Sequence, residues 1–304
     1  MEPLKNIYTQ NFIEQFSSSI KIVISDFNSE LFQKSIFDKE WKNRELKQRM
    51  RHITLTLKSQ LSNDFEIMIN SILKIVSQLQ KEKTKGQSFE WMFLPEFIEL
   101  YGLDNFEISV NAFEILTQFT SCEFAVRPFI IKFRKPMISK HLEWSKHKNE
   151  HVRRLASEGC RPRLPWAMAL PELKKEAKPI VPILENLKND TSEYVRRSVA
   201  NNLNDIAKDD PELVIKTAKK WLGKTPQTDK LIKHACRTLL KAGNQEIMQL
   251  FGFGSVKKIE VNNLNIKEVE ISIGDNLEFY FNLKNHLLCR WSCSEGFAYL
   301  CNYA

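Results

Sequence analysis

Apolar residues along most of the chain recur at intervals of three and four, which is the spacing of amphipathic α-helices. Phe12, Phe16 and Ile20 form one such stripe, and residues 31–37 and 67–76 hold two more. We therefore predict three helices before residue 81. Nine glycines and eleven prolines are few for a chain of 304 residues, and this also favours helices over an all-β fold.

A repeated pattern begins after residue 122. The decapeptides EHVRRLASEG and EYVRRSVANN align with Val152 on Val195, a shift of 43 residues, and LIKHACRTLL at 231–240 is a weaker third copy. A period of about 40–47 residues is typical of HEAT and armadillo repeats, in which each unit is a group of two or three helices. Such units bury their apolar faces by stacking into a curved solenoid. The sequence therefore predicts an all-α, HEAT-like helical-repeat solenoid with a concave face over residues 1–251.

The pattern changes near residue 251, where the motif GFGS marks a boundary. Residues 257–283 then alternate apolar and polar side chains, as half-buried β-strands do. We predict a β-strand segment over residues 252–284. The last stretch, residues 285–304, shows no such alternation and is expected to be an atypical tail with a truncated or frame-altered end.

The cysteine pattern argues against both disulfides and a metal site. His286, Cys289, Cys293 and Cys301 are candidate zinc ligands, but their spacing lacks a second close pair, so we predict no metal. The remaining cysteines are dispersed, as in reduced cytosolic proteins. No apolar run approaches the length of a membrane span, and we therefore expect a cytoplasmic protein without membrane contact.

The basic charge of the chain indicates which partners it binds. The net charge is +8 and the isoelectric point about 9.0, which favours nucleic acid first and a membrane surface second, with solubility alone as the alternative. Residues 130–165 hold ten Lys or Arg against three Glu, and residues 214–233 hold six Lys against one Asp. Charge concentrated in this way favours contact with phosphates on the concave face.

The segment from His151 to Trp166 carries the densest candidate chemistry. Arg154 and Glu158 are four residues apart, so both project from one face of the predicted helix. We expect that helix to end at Gly159 in a left-handed conformation. Two prolines in the following RPRLPW then make a stiff, basic loop that closes with an indole.

This segment resembles the signature of the AlkC branch of the HEAT-like-repeat DNA glycosylases, which remove N-alkylated bases. Further similar stretches are PLKNIYTQNFIEQF (3–16), EWKNRELKQRMRHI (40–53), CEFAVRPF (122–129) and VRRSVANNLNDIAKDDPELV (195–214). The resemblance implies hydrolysis of the N-glycosidic bond of 3-methyladenine and 3-methylcytosine in double-stranded DNA, by a monomer without a cofactor. Some AlkC-like proteins carry an immunoglobulin-like domain after the repeats, and residues 252–284 resemble its first strands. A complete sandwich needs about 100 residues, so we expect a partial one.

The chemistry requires carboxylates within a basic surface. A base alkylated on a ring nitrogen leaves without needing a general acid, whereas the sugar becomes oxocarbenium-like and is stabilised by negative charge. The resemblance supplies Asp205, Glu158 and Glu123 as catalytic candidates. Asp205 is ten residues past its repeat's valine and Glu158 six past its own, so helical geometry predicts a shared face in adjacent repeats. Glu123 does not fit that register. For each residue, a surface or capping carboxylate is the alternative.

The DNA-binding candidates are Arg153, Arg154, Arg161, Arg163, Trp166 and Arg197. Arg154 is expected either to pair with Glu158 or to reach the DNA. Arg161 and Arg163 have the same two alternatives, an ion pair or a phosphate contact, and the rigid loop favours phosphate contact for both. Trp166 is expected either to stack on a base or sugar or to close a repeat in the core. Trp144 and Trp221 are predicted to be core residues.

A second hypothesis is a non-enzymatic HEAT-type scaffold that binds nucleic acid or protein. The sequence contains no glycine-rich phosphate loop, no HExxH motif and no Cys–His nucleophile pair, and nothing in it calls for a cofactor. A scaffold has no need of carboxylates within a basic groove, but a glycosylase does. The position of the three candidate carboxylates therefore bears directly on the choice.

Overall fold

The computed structural model describes residues 2–253, 259–268 and 270–285. The chain divides into two compact units, Met1–Ile247 and Met248–Ala304. In the described residues of the first unit the secondary structure is helical, and strands occur in the second. The predicted all-α, HEAT-like repeat fold followed by a short β-rich segment is therefore confirmed.

The α-helices run in chain order as α1 (Gln10–Val23), α2 (Ser29–Ile36), α3 (Leu46–Lys58), α4 (Phe65–Lys81), α5 (Phe93–Tyr101), α6 (Phe106–Leu116), α7 (Arg127–Lys132), α8 (Arg134–Trp144), α9 (Glu150–Glu158), α10 (Pro171–Lys175), α11 (Val181–Leu187), α12 (Glu193–Ile206), α13 (Pro211–Trp221), α14 (Pro226–Ala235), α15 (Arg237–Lys241) and α16 (Gln245–Leu250). Short 3-10 helices lie at Leu4–Ile7, Trp41–Asn43, Phe89–Trp91 and Lys178–Ile180.

The predicted repeat is visible in the helix order. Helices α9 and α12 begin at Glu150 and Glu193, which are separated by the predicted 43 residues. Helix α12 packs against both α9 and α14, so equivalent helices of successive repeats lie side by side. Their partners α8, α11 and α13 complete the pairs. The weaker third copy at 231–240 extends over α14 and α15, which are interrupted at Cys236.

Two tryptophans predicted to be core residues are fully buried. Trp144 donates through Nε1 to Glu114 Oε2 at 2.8 Å, and Trp221 donates in the same way to Glu185 Oε2 at 2.8 Å. Each indole thus fills the interior between helices while its polar atom keeps a partner, as buried tryptophan requires. The prediction for both residues is confirmed.

One helix in the first 80 residues was not predicted. Residues 10–81 form four α-helices rather than three, and the additional one is α3. Its buried face holds Met50, Ile53 and Leu57 at helical spacing, a stripe that the sequence analysis did not use, together with Arg49 and Thr54. The buried Arg49 guanidinium donates to the carbonyl of Lys5 at 2.7 Å and lies over the ring of Trp41.

Helix α9 ends at Gly159 as expected, but the reason for a glycine at this position is not the expected one. Gly159 has a right-handed φ of −62°, not the left-handed conformation predicted for a helix end. A Cβ at this position would lie 2.8 Å from Val126 Cγ2 and 2.9 Å from His141 Cε1. Glycine is therefore needed here because α7 and α8 approach the end of α9 closely.

The described part of the second unit contains an antiparallel pair of strands, β1 (Ile259–Ile266) and β2 (Phe279–Asn285). The register pairs Glu260 with Lys284 and is irregular between Asn262 and Asn265. This pair lies in the segment predicted to be β-rich. Of the tail predicted over residues 285–304, Asn285 belongs to β2, and residues 286–304 with the candidate zinc ligands lie outside the described residues.

Candidate active site

Five side chains form a cluster of alternating charge in the first unit, in the order Glu123, Arg154, Glu158, Arg161 and Asp205. Arg154 Nη1 contacts Glu123 Oε2, and its Nη2 lies 3.4 Å from Glu158 Oε1. Arg161 Nη1 donates to that same Glu158 oxygen at 2.6 Å, and Arg161 Nε donates to Asp205 Oδ2 at 2.8 Å. We call these five residues the charged cluster.

The cluster is assembled from four separate segments of the chain. Glu123 lies in the turn before α7, and α9 supplies Arg154 and Glu158. Arg161 lies in the loop that follows α9, and Asp205 lies in the last turn of α12. The repeat stacks α12 on α9, and this places Asp205 and Glu158 on either side of one guanidinium. The shared location predicted for these two carboxylates is therefore found.

Glu123 joins the cluster although it does not follow the repeat register. Its Oε2 accepts a hydrogen bond from Ser121 Oγ at 2.9 Å, and Ser121 Oγ also accepts from Arg154 at 2.9 Å. The carboxylate is thus held from both sides. All three predicted catalytic carboxylates consequently belong to one connected network.

The cluster is buried, and with Lys208 three cations balance its three carboxylates. The side chains of Glu158 and Asp205 are 7% and 3% exposed, so neither is an ordinary surface carboxylate. Burial acts to raise the pKa of Glu158, but the guanidiniums of Arg154 and Arg161 outweigh it and hold that pKa below its usual value. Three carboxylates face two arginines, with Lys208 Nζ at 3.7 Å from Asp205 Oδ1. The arrangement can therefore present fixed negative charge to a developing cation.

Comparison with known proteins identifies the relatives of this chain. The family profile described as DNA alkylation repair enzyme matches residues 108–239, a range that contains the whole charged cluster. The uncharacterized protein YhaZ of Bacillus subtilis is 42% identical over 281 residues, covering 92% of this chain and 77% of its own length. The chain belongs to the DNA alkylation repair enzyme family.

The structure of this chain is similar to a solved structure of an AlkC protein. The alkylpurine DNA glycosylase AlkC of Pseudomonas fluorescens, bound to DNA containing an abasic site analog, superposes with a TM-score of 0.78 at 32% identity. The match covers 95% of this chain and 78% of that protein. The resemblance to the AlkC branch seen in the sequence is thereby confirmed.

Four of the six predicted DNA-binding residues fall into two groups. Arg153 and Arg154 point inward: Arg153 forms a two-point ion pair with Asp190, at 2.5 and 2.9 Å, and Arg154 is part of the charged cluster. Arg163 and Arg197 reach the surface with side-chain exposures of 38% and 66%. Only the second group is placed to meet a phosphate without rearrangement.

The phosphate contact expected for Arg161 has no support in this geometry. Its side chain is 8% exposed, and its guanidinium is shared between Glu158 and Asp205. Sequence reasoning placed it on an exposed loop, but the loop turns this side chain back under the ends of α9 and α12. Arg163, two residues later, does point outward and pairs with Asp209 at 2.6 and 2.8 Å.

Trp166 lies on the surface of the enzyme. Its indole is 60% exposed, so the alternative that it closes a repeat in the core is wrong. Its ring lies 5.6 Å from that of Phe89, and its backbone adopts a positive φ of 63°. A large aromatic surface therefore stands beside the loop that carries Arg161 and Arg163.

Tyr194 is a member of the site that the sequence analysis missed. The Arg154 guanidinium lies 5.1 Å from the centre of the Tyr194 ring, and that ring also contacts His151. Tyr194 follows His151 by 43 residues, the repeat period itself. Aligning the two repeats at this position would have pointed to the pair.

A cleft whose charged walls are basic apart from Glu193, which we call the basic cleft, lies between α12 and α14. It has a volume of about 310 Å³, and its walls include Arg196, Arg197, Lys230 and His234. Among the described residues we find no group of three His, Cys, Asp or Glu side chains arranged to hold a metal ion. In the same residues, no helix is long and apolar enough to cross a membrane.

Proposed function

We propose that this protein is a DNA glycosylase that excises cationic N-alkylated bases, 3-methyladenine and 3-methylcytosine, from double-stranded DNA. It does so as a monofunctional hydrolase that cleaves the N-glycosidic bond with water. The observation that carries the proposal is the buried charged cluster, in which two arginines hold three carboxylates in fixed positions.

The chemistry follows from the charge of the leaving base. A ring-alkylated base carries positive charge and departs neutral, so the enzyme need not protonate it. The positive charge passes to the sugar, where Asp205 and its neighbours supply negative charge that is already in place. Because the arginines fix these carboxylates before the reaction, no reorganisation is needed as the transition state forms. One carboxylate also orients the attacking water and accepts its proton.

The surface around the cluster suits a DNA ligand. Arg163 and Arg197 are exposed cations on the loop after α9 and on α12, and the basic cleft continues onto α14. Trp166 offers an exposed aromatic face beside them. The structurally similar AlkC was observed bound to DNA that contains an abasic site analog, which supports DNA as the partner here.

Release of free methylated base from methylated duplex DNA tests this proposal directly. We expect the purified protein to liberate 3-methyladenine or 3-methylcytosine and to leave abasic sites, both measured by mass spectrometry. Unmethylated duplex of the same sequence is the control. Tight DNA binding without any released base would instead support the non-enzymatic scaffold.

The exposed arginines should contribute to affinity through phosphates. Arg163→Ala and Arg197→Ala should each weaken binding to DNA of any sequence and reduce the slope of log K against log salt by about 0.9, the value of one phosphate contact. Lys34→Ala, which removes an exposed cation on α2, is the control and should leave the slope unchanged. A parent-like slope in both arginine variants would show that neither contacts the DNA backbone.

A further inference from the structure

Arg127, at the start of α7, is a buried cation whose hydrogen bonds go to backbone carbonyls. It is 0% exposed. Its Nε donates to the carbonyl of Met168 at 2.5 Å, and its Nη1 donates to the carbonyls of Gly159 and Arg161 at 3.1 and 2.9 Å. One guanidinium therefore joins both ends of the segment 159–168, which we call the 159–168 loop.

Two side chains of the 159–168 loop point in different directions. Arg161 reaches inward to Glu158 and Asp205, whereas Trp166 extends into solvent. The loop must turn sharply between them, and Leu164 is buried as an apolar anchor along the way. Small changes in the path of the backbone would therefore move a cluster member and the exposed indole together.

The backbone at Trp166 is strained and is fixed by a second cation. A positive φ of 63° is unfavourable for a bulky residue and persists only where the surroundings enforce it. Lys47, an exposed residue of α3, donates to the Trp166 carbonyl at 3.0 Å and lies over the ring of Phe124. Strained conformations of this kind concentrate at functional sites.

Stability alone does not explain Arg127. Its Nη2 is buried and has no hydrogen-bond partner, and burial lowers the pKa of the guanidinium to about 10. An apolar residue of similar size would avoid the cost of burying this charge, but it would leave the carbonyls of Gly159, Arg161 and Met168 without their donor. The specific property of Arg127 is its reach: it binds carbonyls at the two ends of one loop at the same time.

We propose that Arg127 and Lys47 are positioning residues that clamp the 159–168 loop, so that Arg161 meets its carboxylates while Trp166 is presented to the ligand. The proposal rests on the proposed function only for the identity of that ligand, DNA. The clamp itself is a property of the free protein and is tested without DNA.

Trypsin cleavage after Arg163 measures whether the loop is clamped. Arg127→Met and Lys47→Met should each accelerate cleavage of the Arg163–Leu164 bond, about tenfold or more, as expected when a charge-assisted hydrogen bond that closes the loop is lost. Cleavage elsewhere in the first unit should stay near the parent rate. The melting temperature should stay near the parent value in Lys47→Met and fall in Arg127→Met, which leaves three carbonyls without a donor. Lys42→Met, the same change at another exposed lysine, is the control.

A second readout separates clamping from charge. Arg127→Lys retains the buried positive charge but loses the planar guanidinium that places Nε at the Met168 carbonyl and Nη1 at those of Gly159 and Arg161, so cleavage after Arg163 should remain fast. Single-turnover base release should fall in parallel with the loss of protection in all three variants. Full protection in Arg127→Lys would assign the effect to charge and overturn the proposal.

The remaining outcomes are also decisive. If Arg127→Met does not fold, Lys47→Met decides alone, because Lys47 is exposed and its removal does not disturb the core. Parent-like cleavage after Arg163 in Lys47→Met and in a folded Arg127→Met would overturn the clamp. If the parent releases no methylated base but the variants lose protection, the clamp stands and the glycosylase proposal fails.

Discussion

Asp205→Asn should release methylated base on the order of 100-fold more slowly than the parent in single-turnover experiments. The substitution keeps the size of the side chain and removes the charge expected to face the sugar cation. Asp205 is 3% exposed and bonded to Arg161, so its charge is fixed and poorly screened by water. Loss of one such preorganised group costs about 3 kcal/mol in the transition state, which corresponds to that factor.

DNA binding distinguishes a catalytic role from general damage. Affinity for an abasic-site duplex should be retained or slightly strengthened in Asp205→Asn, because one negative charge leaves a surface that meets phosphates. Asp209→Asn is a matched control: Asp209 lies four residues later and also pairs with an arginine of the 159–168 loop, but it is outside the charged cluster. Its release rate with saturating DNA should be that of the parent. Unimpaired release in Asp205→Asn would make Glu158 the principal candidate.

The features that the sequence predicted correctly depend on local periodicity. A shift of 43 residues between two similar decapeptides predicted α9 and α12 as equivalent helices. Once that register is known, the offset of Asp205 from Glu158 by one helical turn places both near one point. Trp221 fits the same logic, because it continues the apolar stripe of Val214 and Ala218 on α13.

The features that it missed depend on contacts between distant segments. Glu123, which the resemblance supplied and the repeat register did not, enters the cluster through Arg154, a residue 31 positions away on α9. Arg161 was expected in solvent because a basic, proline-flanked segment resembles an exposed loop, yet its counter-ions arrive from α9 and α12. The burial of a charged residue depends on whether partners meet it in three dimensions, and periodicity does not contain that information. The missed helix α3 is different, because Met50, Ile53 and Leu57 on its buried face do recur at helical spacing.

Arg161→Leu should lower the free energy of unfolding at pH 7 by about 3–5 kcal/mol, the usual cost of removing one partner from a buried ion pair. The variant leaves two buried carboxylates, Glu158 and Asp205, without the guanidinium between them. Arg163→Leu is the control. Its ion pair with Asp209 is partly exposed, and its loss should cost no more than about 1 kcal/mol. Urea unfolding of both variants measures the difference.

The dependence on pH and on salt identifies the cause of this loss. In the parent, the pKa of Glu158 lies below its ordinary value of 4.5, so its stabilising charge is fully present above that pH and is lost as the pH falls below it. In Arg161→Leu only Arg154 remains of the two guanidiniums that oppose the effect of burial on Glu158. The pKa of Glu158 therefore rises. Protonation of Glu158 then stabilises the variant as the pH falls. The difference in unfolding free energy between parent and variant should therefore shrink between pH 7 and pH 4.5. A difference in unfolding free energy that does not depend on pH would indicate lost packing instead. Because Arg161 is buried, the salt slope of DNA binding should remain that of the parent, whereas a slope reduced by about 0.9 would restore the phosphate role first expected for this residue.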